Sequence, residues 1–355
     1  MTSYARRFRR FAALLAVPAL ALAACDGGGT DTPGQEVVPA AVVLNSVDRS
    51  LTVTPVEGNT APSQTIGLGA QGTPVSFAVR GVRAVVPMGT YPFAALVNLV
   101  SGQVAFAALP ANSGATGAAF VTDQLAVVAN PGRNTVSPVD VGTGVVGPEV
   151  TVGTYPQFVL ANGNRVYVVN ANLVNFTPAG PGSVTVLSAG LQAVRTIPLT
   201  GINPGPAVVR NNRLYVLNAG TFGGNNGSIS VVDLGSLSEE RLVTGFGEFP
   251  GSLALGTDGN LYVGVYGRGV LVWNPETGFV RGLNNPIVPA GAVPVSAVGV
   301  DPFGKLHTTN PGSCEGAGSA SRLNPTTFAL ERTVPTGVCP FFIGFGLGAS
   351  PAGID

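Results

Sequence analysis

The sequence predicts an all-β chain built from one repeating unit of four short strands, and three observations carry that prediction. Fifty glycines and 29 prolines in 355 residues, with 45% hydrophobic residues, break the chain into short Val-rich runs bounded by turn residues. Such runs read as strands. A Gly-x-x-Pro signature opens a run at Gly153–Pro156, Gly201–Pro204, Gly247–Pro250, Gly291–Pro294 and Gly337–Pro340, with successive prolines 44 to 48 residues apart. Finally, the two ends of the chain each match only part of one unit and together complete it. Four strands in a unit of that length is the period of a propeller blade, and the count closes at a seven-bladed β-propeller.

The chain opens with Arg6, Arg7, Arg9 and Arg10 before an apolar run from Phe11 to Ala24, ending in Leu22-Ala23-Ala24-Cys25. A basic segment, a short apolar run and small residues before a cleavage point make a secretory signal, and the run is short for a bilayer span. The cysteine placed there makes the segment resemble a bacterial lipoprotein signal with its lipobox. That resemblance implies removal of residues 1–24, a diacylglyceryl thioether on Cys25 and an acyl chain on the new N-terminus. Two or three chains anchor stably where one does not, so the expected location is the bacterial cell envelope, facing periplasm or exterior. Residues 25–38 lack periodicity and read as a lipidated flexible tether; residues 39–355 read as the propeller.

Past the tether, Val42–Asn45, Ser50–Thr54 and Ser63–Leu68 match the second, third and fourth strands of a unit, while Cys339–Leu347 matches a first strand. The closing blade is therefore expected to combine one C-terminal and three N-terminal strands, which removes the sheet edges of an open ring. Units at 72–110 and 111–152 are fainter, with Arg83-Ala-Val-Val and Gln124-Leu-Ala-Val-Val at the second strand. The later units are clear: Arg165–Asn170, Arg213–Asn218, Asn260–Val265 and Lys305–Asn310 are second strands, and Ser183–Leu187 and Ser228–Asp233 are third strands.

Tyr167-Val-Val-Asn170, Tyr215-Val-Leu-Asn218 and His307-Thr-Thr-Asn310, each followed by a Gly-containing loop and a Ser-Val-Thr-Val-like strand, resemble YVTN-type β-propeller repeats. The resemblance implies the fold and little about activity, because such folds host unrelated functions. Met88, Ala129 and Val265 stand where the asparagine belongs. The asparagine itself reads as a turn former bonding nearby backbone. Tyr167, Tyr215, Tyr262 and His307 share one register and read as packing between blades, as does Trp273.

Eighteen basic side chains balance 18 acidic ones, four of the basic ones lie in the leader, and no basic surface for phosphate backbones remains. Nucleic acid is excluded as a partner. With Cys25 lipidated, Cys314 and Cys339 form an even pair in an exported chain. Cys314 falls in the loop after a second strand and Cys339 in the lead-in to the next blade. Both loops emerge on one face, so a disulfide between neighbouring blades is expected.

No Ser-His-Asp arrangement, no metal-ligand spacing and no phosphate loop can be assembled, so no catalytic residue, cofactor or metal is assigned. Asp233, Asp258 and Asp301 sit at turns, where carboxylates bond local backbone. Tyr155, Asn203 and Phe249 precede first strands and are candidates for the channel mouth. Phe176 and Phe222, on Gly- and Asn-rich loops of the same face, are candidates for a recognition surface or for tucking against the blade tops. The reading is a monomeric, membrane-anchored binding or scaffolding module for a protein or glycan partner. Its rival is an extracytoplasmic hydrolase or lyase: carboxylates facing the channel favour the enzyme, a channel of small and apolar groups favours binding.

Overall fold

A computed structural model describes residues 36–58, 63–289 and 294–350. The leader, Cys25, most of the tether and Gly291 lie outside the described residues. Seven four-stranded antiparallel sheets follow one another around the ring. Blade 1 holds Ala78–Arg80, Arg83–Pro87, Phe93–Asn98 and Val104–Ala108; blade 2 holds Ala118–Phe120, Leu125–Asn130, Thr135–Asp140 and Val150–Thr151. Blade 3 holds Pro156–Asn162, Arg165–Asn170, Pro181–Ser188 and Ala193–Ile202; blade 4 holds Pro204–Arg210, Arg213–Asn218, Ser228–Asp233 and Ser238–Thr244. Blade 5 holds Pro250–Leu255, Leu261–Val265, Gly269–Asn274 and Gly278–Arg281; blade 6 holds Ala297–Val300, Leu306–Asn310, Ala317–Leu323 and Leu330–Val338.

Blade 7 is the composite one. Pro340–Ala349 pairs antiparallel with Val37–Asn45, which pairs with Ser50–Pro55 and then Gln64–Gly67. The N-terminal strand begins at Val37, inside the segment expected to be tether, because Val37 and Val38 pair with Ala349 and Gly348. Cys314 and Cys339 are disulfide-bonded, with Cα atoms 4.5 Å apart, and tie blade 6 to the lead-in of blade 7. Such a bond persists in oxidising compartments outside the cytosol. Among the described residues no helix is long and apolar enough to cross a membrane.

The core lies between blades. Tyr167 packs with Leu214 and Val216 of the next blade, Tyr215 with Leu261 and Trp273, and Tyr262 with Val298 and Leu306. Each tyrosine is 2% exposed, so the shared register is a packing register. His307, in the same register, is also buried; its Nε2 lies 2.9 Å from Asp301 Oδ2 and its ring meets Phe345 edge-on. Asp233, Asp258 and Asp301 each accept local backbone N–H groups, as turn carboxylates do.

The asparagine that ends the second strand works differently from the turn former expected. Asn45, Asn130, Asn170 and Asn218 are buried, and each donates Nδ2 sideways to two hydroxyls on the third strand. Only Asn310 turns back, accepting the Gly312 N–H. In blade 2 the position belongs to Asn130, one residue past the expected Ala129. The same contact explains the Gly of Gly-x-x-Pro at Gly153, Gly201 and Gly337, whereas a Cβ on Gly247 would meet Leu283. A Cβ on Gly153 would lie 2.6 Å from Asn170 Nδ2, and one on Gly201 2.1 Å from Asn218 Cγ. No side chain fits between that backbone and the asparagine amide.

Candidate functional site

The first strands of the seven blades, or the residues leading into them, converge on a central cavity of about 350 Å³. One lining residue from each blade shows its character: Ser76, Thr116, Gln157, Gly205, Gly251, Ser296 and Phe342. A bulge just after the proline aims residues inward. Gln157 in blade 3, Gly205 and Pro206 in blade 4, Gly251 in blade 5 and Phe341 in blade 7 are skipped by the ladder, and all line the cavity. An extra residue left out of pairing commonly redirects a side chain beside a site.

The residue before the proline is held with positive φ in four blades: Tyr155 at 55°, Asn203 at 54°, Phe249 at 48° and Cys339 at 61°. Left-handed backbone is uncommon for such residues, and here it recurs at one position of the repeat. Asn203 and Phe249 line the cavity. Tyr155 instead packs edge to face on Phe176, centroids 6.1 Å apart, and burial raises its phenol pKa. Phe222 packs in the same way on Phe249, at 6.0 Å. Phe176 and Phe222 thus each rest on a lead-in aromatic, and they remain 82% and 90% exposed. Tyr266 and Phe341 complete the aromatic mouth. Sequence reasoning missed both; Tyr266 follows a second strand directly, and that position was its one available signal.

Polar groups on the wall bind the ring to itself. Ser76 Oγ donates to Thr116 O at 2.6 Å, Thr116 Oγ1 to Gln157 O at 3.3 Å, and Gln157 Nε2 to Pro204 O at 2.6 Å. Ser296 Oγ donates to Pro340 O at 2.5 Å across the closing junction. Each bond runs from one blade to the next. Among the described residues no carboxylate, imidazole, lysine or arginine lines the cavity wall. Among the described residues no group of three or more His, Cys, Asp or Glu is placed to hold a metal ion. Chemically, this is a neutral, largely apolar cup with a few hydrogen-bonding groups, the usual make-up of a ligand pocket.

Fold and site thus define a seven-bladed β-propeller with an uncharged, aromatic-rimmed channel mouth. The chain is similar in structure to a functionally unknown protein from Desulfotomaculum acetoxidans, with TM-score 0.64 and 15% identity over 88% of this chain and 99% of that one. It is similar to Kuenenia stuttgartiensis hydrazine synthase, with TM-score 0.62 and 15% identity over 81% and 99%. A streptogramin B lyase gives TM-score 0.55 and 12% identity over 75% and 83%. At these identities the likeness establishes the fold alone. No family model matches the sequence, and no curated protein matches it.

Proposed function

We propose that the chain is an exported lipoprotein, anchored through Cys25, whose YVTN-type propeller binds a protein or glycan of the cell envelope at its channel mouth. The observation that carries the binding reading is the wall itself: small, neutral polar, apolar and aromatic groups from seven blades, with no charged side chain among the described lining residues. The second reading, a hydrolase or lyase at the same mouth, needs a general acid or base beside the substrate. Among the described lining residues, the Tyr266 phenol is the group the wall offers to it.

The test is capture from crosslinked cell envelopes with three baits: wild type, Cys25→Ala and Gly251→Trp. Gly251 lines the cavity and a Cβ there meets nothing within 4 Å, so the backbone accepts a side chain and the indole is expected to take up channel space. A partner recovered by wild type and lost with Gly251→Trp supports the reading. Loss of membrane association in Cys25→Ala supports the anchor. Capture indifferent to Gly251→Trp removes the channel mouth as the binding site.

A further inference from the structure

The polar groups of the channel wall are nearly all committed to the ring. Ser76, Thr116 and Ser296 direct their hydroxyl protons to carbonyls of the next blade. Gln157 Nε2 is shared between Pro204 O and Asn203 Oδ1, at 2.6 and 3.3 Å. The Pro204 carbonyl requires a donor, which fixes the orientation of the Gln157 amide; Gln157 in turn requires an acceptor, which fixes that of Asn203. On these two amides Gln157 Oε1 and Asn203 Nδ2 are left over. Neither has a protein partner among the described residues, and neither belongs to the polar side-chain atoms sealed from solvent. They are one acceptor and one donor on adjoining amides.

This remainder defines a ligand class. The geometry points to an uncharged carboxamide beside an apolar or aromatic group, its N–H given to Gln157 Oε1 and its C=O accepting from Asn203 Nδ2. A carboxamide carries one donor and one acceptor on the same edge, and so satisfies both amides at once. An ion would find no counter-charge on the wall, and burying one unpaired is strongly unfavourable. A sugar would bury several hydroxyls against Leu217, Val295 and Phe342, where each unmatched polar group carries its own desolvation penalty. The cavity, about 350 Å³, falls at the small end of ligand sites, roughly 300–1,000 Å³. It accommodates a small molecule or an Asn or Gln side chain with an aromatic neighbour, not a folded domain. The inference rests on the binding reading above.

The test is an NMR titration of the disulfide-bonded mature domain with 3-phenylpropanamide, its methyl ester, its carboxylate and methyl glucoside. The amide is expected to give saturable shifts at the mouth and to bind at least tenfold more tightly than the other three. Asn203→Asp keeps an acceptor for Gln157 and suits the left-handed backbone, but exchanges the free N–H for an oxygen. It should weaken amide binding at least tenfold while the domain keeps the dispersed NMR spectrum of the folded state, the buried carboxylate lowering the melting temperature. An acetylated, amidated Phe-Gln-Phe peptide binding more tightly than the free amide assigns the carboxamide to a protein partner; weaker binding assigns it to a small molecule. Equal affinity for amide and ester, preference for the glucoside, or indifference to Asn203→Asp overturns the inference. If the amide fails while Gly251→Trp still abolishes partner capture, the ligand class falls and the binding reading stands. Failure of both experiments removes both.

Discussion

Phe222 meets Phe249 edge to face across the junction of blades 4 and 5, as Cys314 meets Cys339 across the junction of blades 6 and 7. In both pairs the first residue lies in the loop after a second strand and the second precedes the proline of the next blade with positive φ. One position of the repeat is thus used twice, once with rings and once with a covalent bond. The covalent version falls beside the blade in which the chain ends meet. An aromatic pair contributes about 0.5–1.5 kcal/mol beyond its burial, whereas a disulfide spanning 25 residues contributes about 3.5 kcal/mol by loop entropy.

Replacing both Cys314 and Cys339 by Ser should therefore cost about 3.5 kcal/mol in urea unfolding. Reductant should lower the wild-type midpoint to that of the variant and leave the variant where it is. An unchanged midpoint in the variant would show that strand pairing alone closes the ring.

Gly201→Ala should destabilise by about 1–3 kcal/mol, because the added methyl meets the Asn218 amide. Gly251→Ala, with open space at its Cβ, is the control. Combining Gly201→Ala with Asn218→Ala should recover part of the loss as a coupling energy of about 0.5–3 kcal/mol. Strict additivity would mean that the glycine is there for another reason.

Asn170→Ala removes the donor shared by Ser183 and Thr185 and should cost about 1–3 kcal/mol. Asn310→Ala loses one bond to a turn N–H and should stay within about 0.5 kcal/mol of wild type. Chemical denaturation of the two variants side by side separates the two roles of one motif residue.

Acid should weaken the blade 6 core through Asp301. Burial works to raise this carboxyl, but hydrogen bonds from His307 and from the Lys305 and Phe303 N–H groups prevail and hold it below its ordinary value. A carboxyl depressed in the folded state adds stability above its unfolded pKa and loses it as pH falls through the folded one. The stability gap between wild type and Asp301→Asn should accordingly narrow below about pH 4. Urea midpoints from pH 6 to 2 provide the check, and a constant gap counts against the account.

Phe222→Ala and Phe176→Ala remove rings that are 90% and 82% exposed and should change stability by less than about 1 kcal/mol. Capture of the envelope partner should nonetheless fall, since Phe222 rests on Phe249 of the channel wall and Phe176 on the lead-in ring of Tyr155. Full capture by the double variant would confine recognition to the channel below them.

Much of the fold was legible because the repeat is local. Gly153, Gly201 and Gly337 mark where backbone crosses the asparagine amide of the blade that follows, and a requirement met at the entry to a blade leaves the same trace in those units. The cysteine pair was legible for a related reason, since strand order fixes which loops share a face. Asn130 was missed by one residue because blade 2 lacks the Tyr-x-x-Asn spacing and only the pairing of Asn130 with Thr135 sets its register.

The channel was legible only at its rim. Asn203 and Phe249 could be named from their place before the proline, but Tyr155, in the same place, turned to Phe176 instead. Gln157 sits between Pro156 and Phe158 with nothing in the sequence to mark it, and it becomes a site residue because a bulge drops it from the ladder. The sequence by itself determined strand order, blade count, the composite closure and the bonded cysteines, since these follow from short-range spacing repeated along the chain. Only the tertiary structure decided which groups face the axis and which of them stay unpaired. Gln157 meets Asn203 from 46 residues away, and the packing of blade 4 against blade 3 is what brings them together.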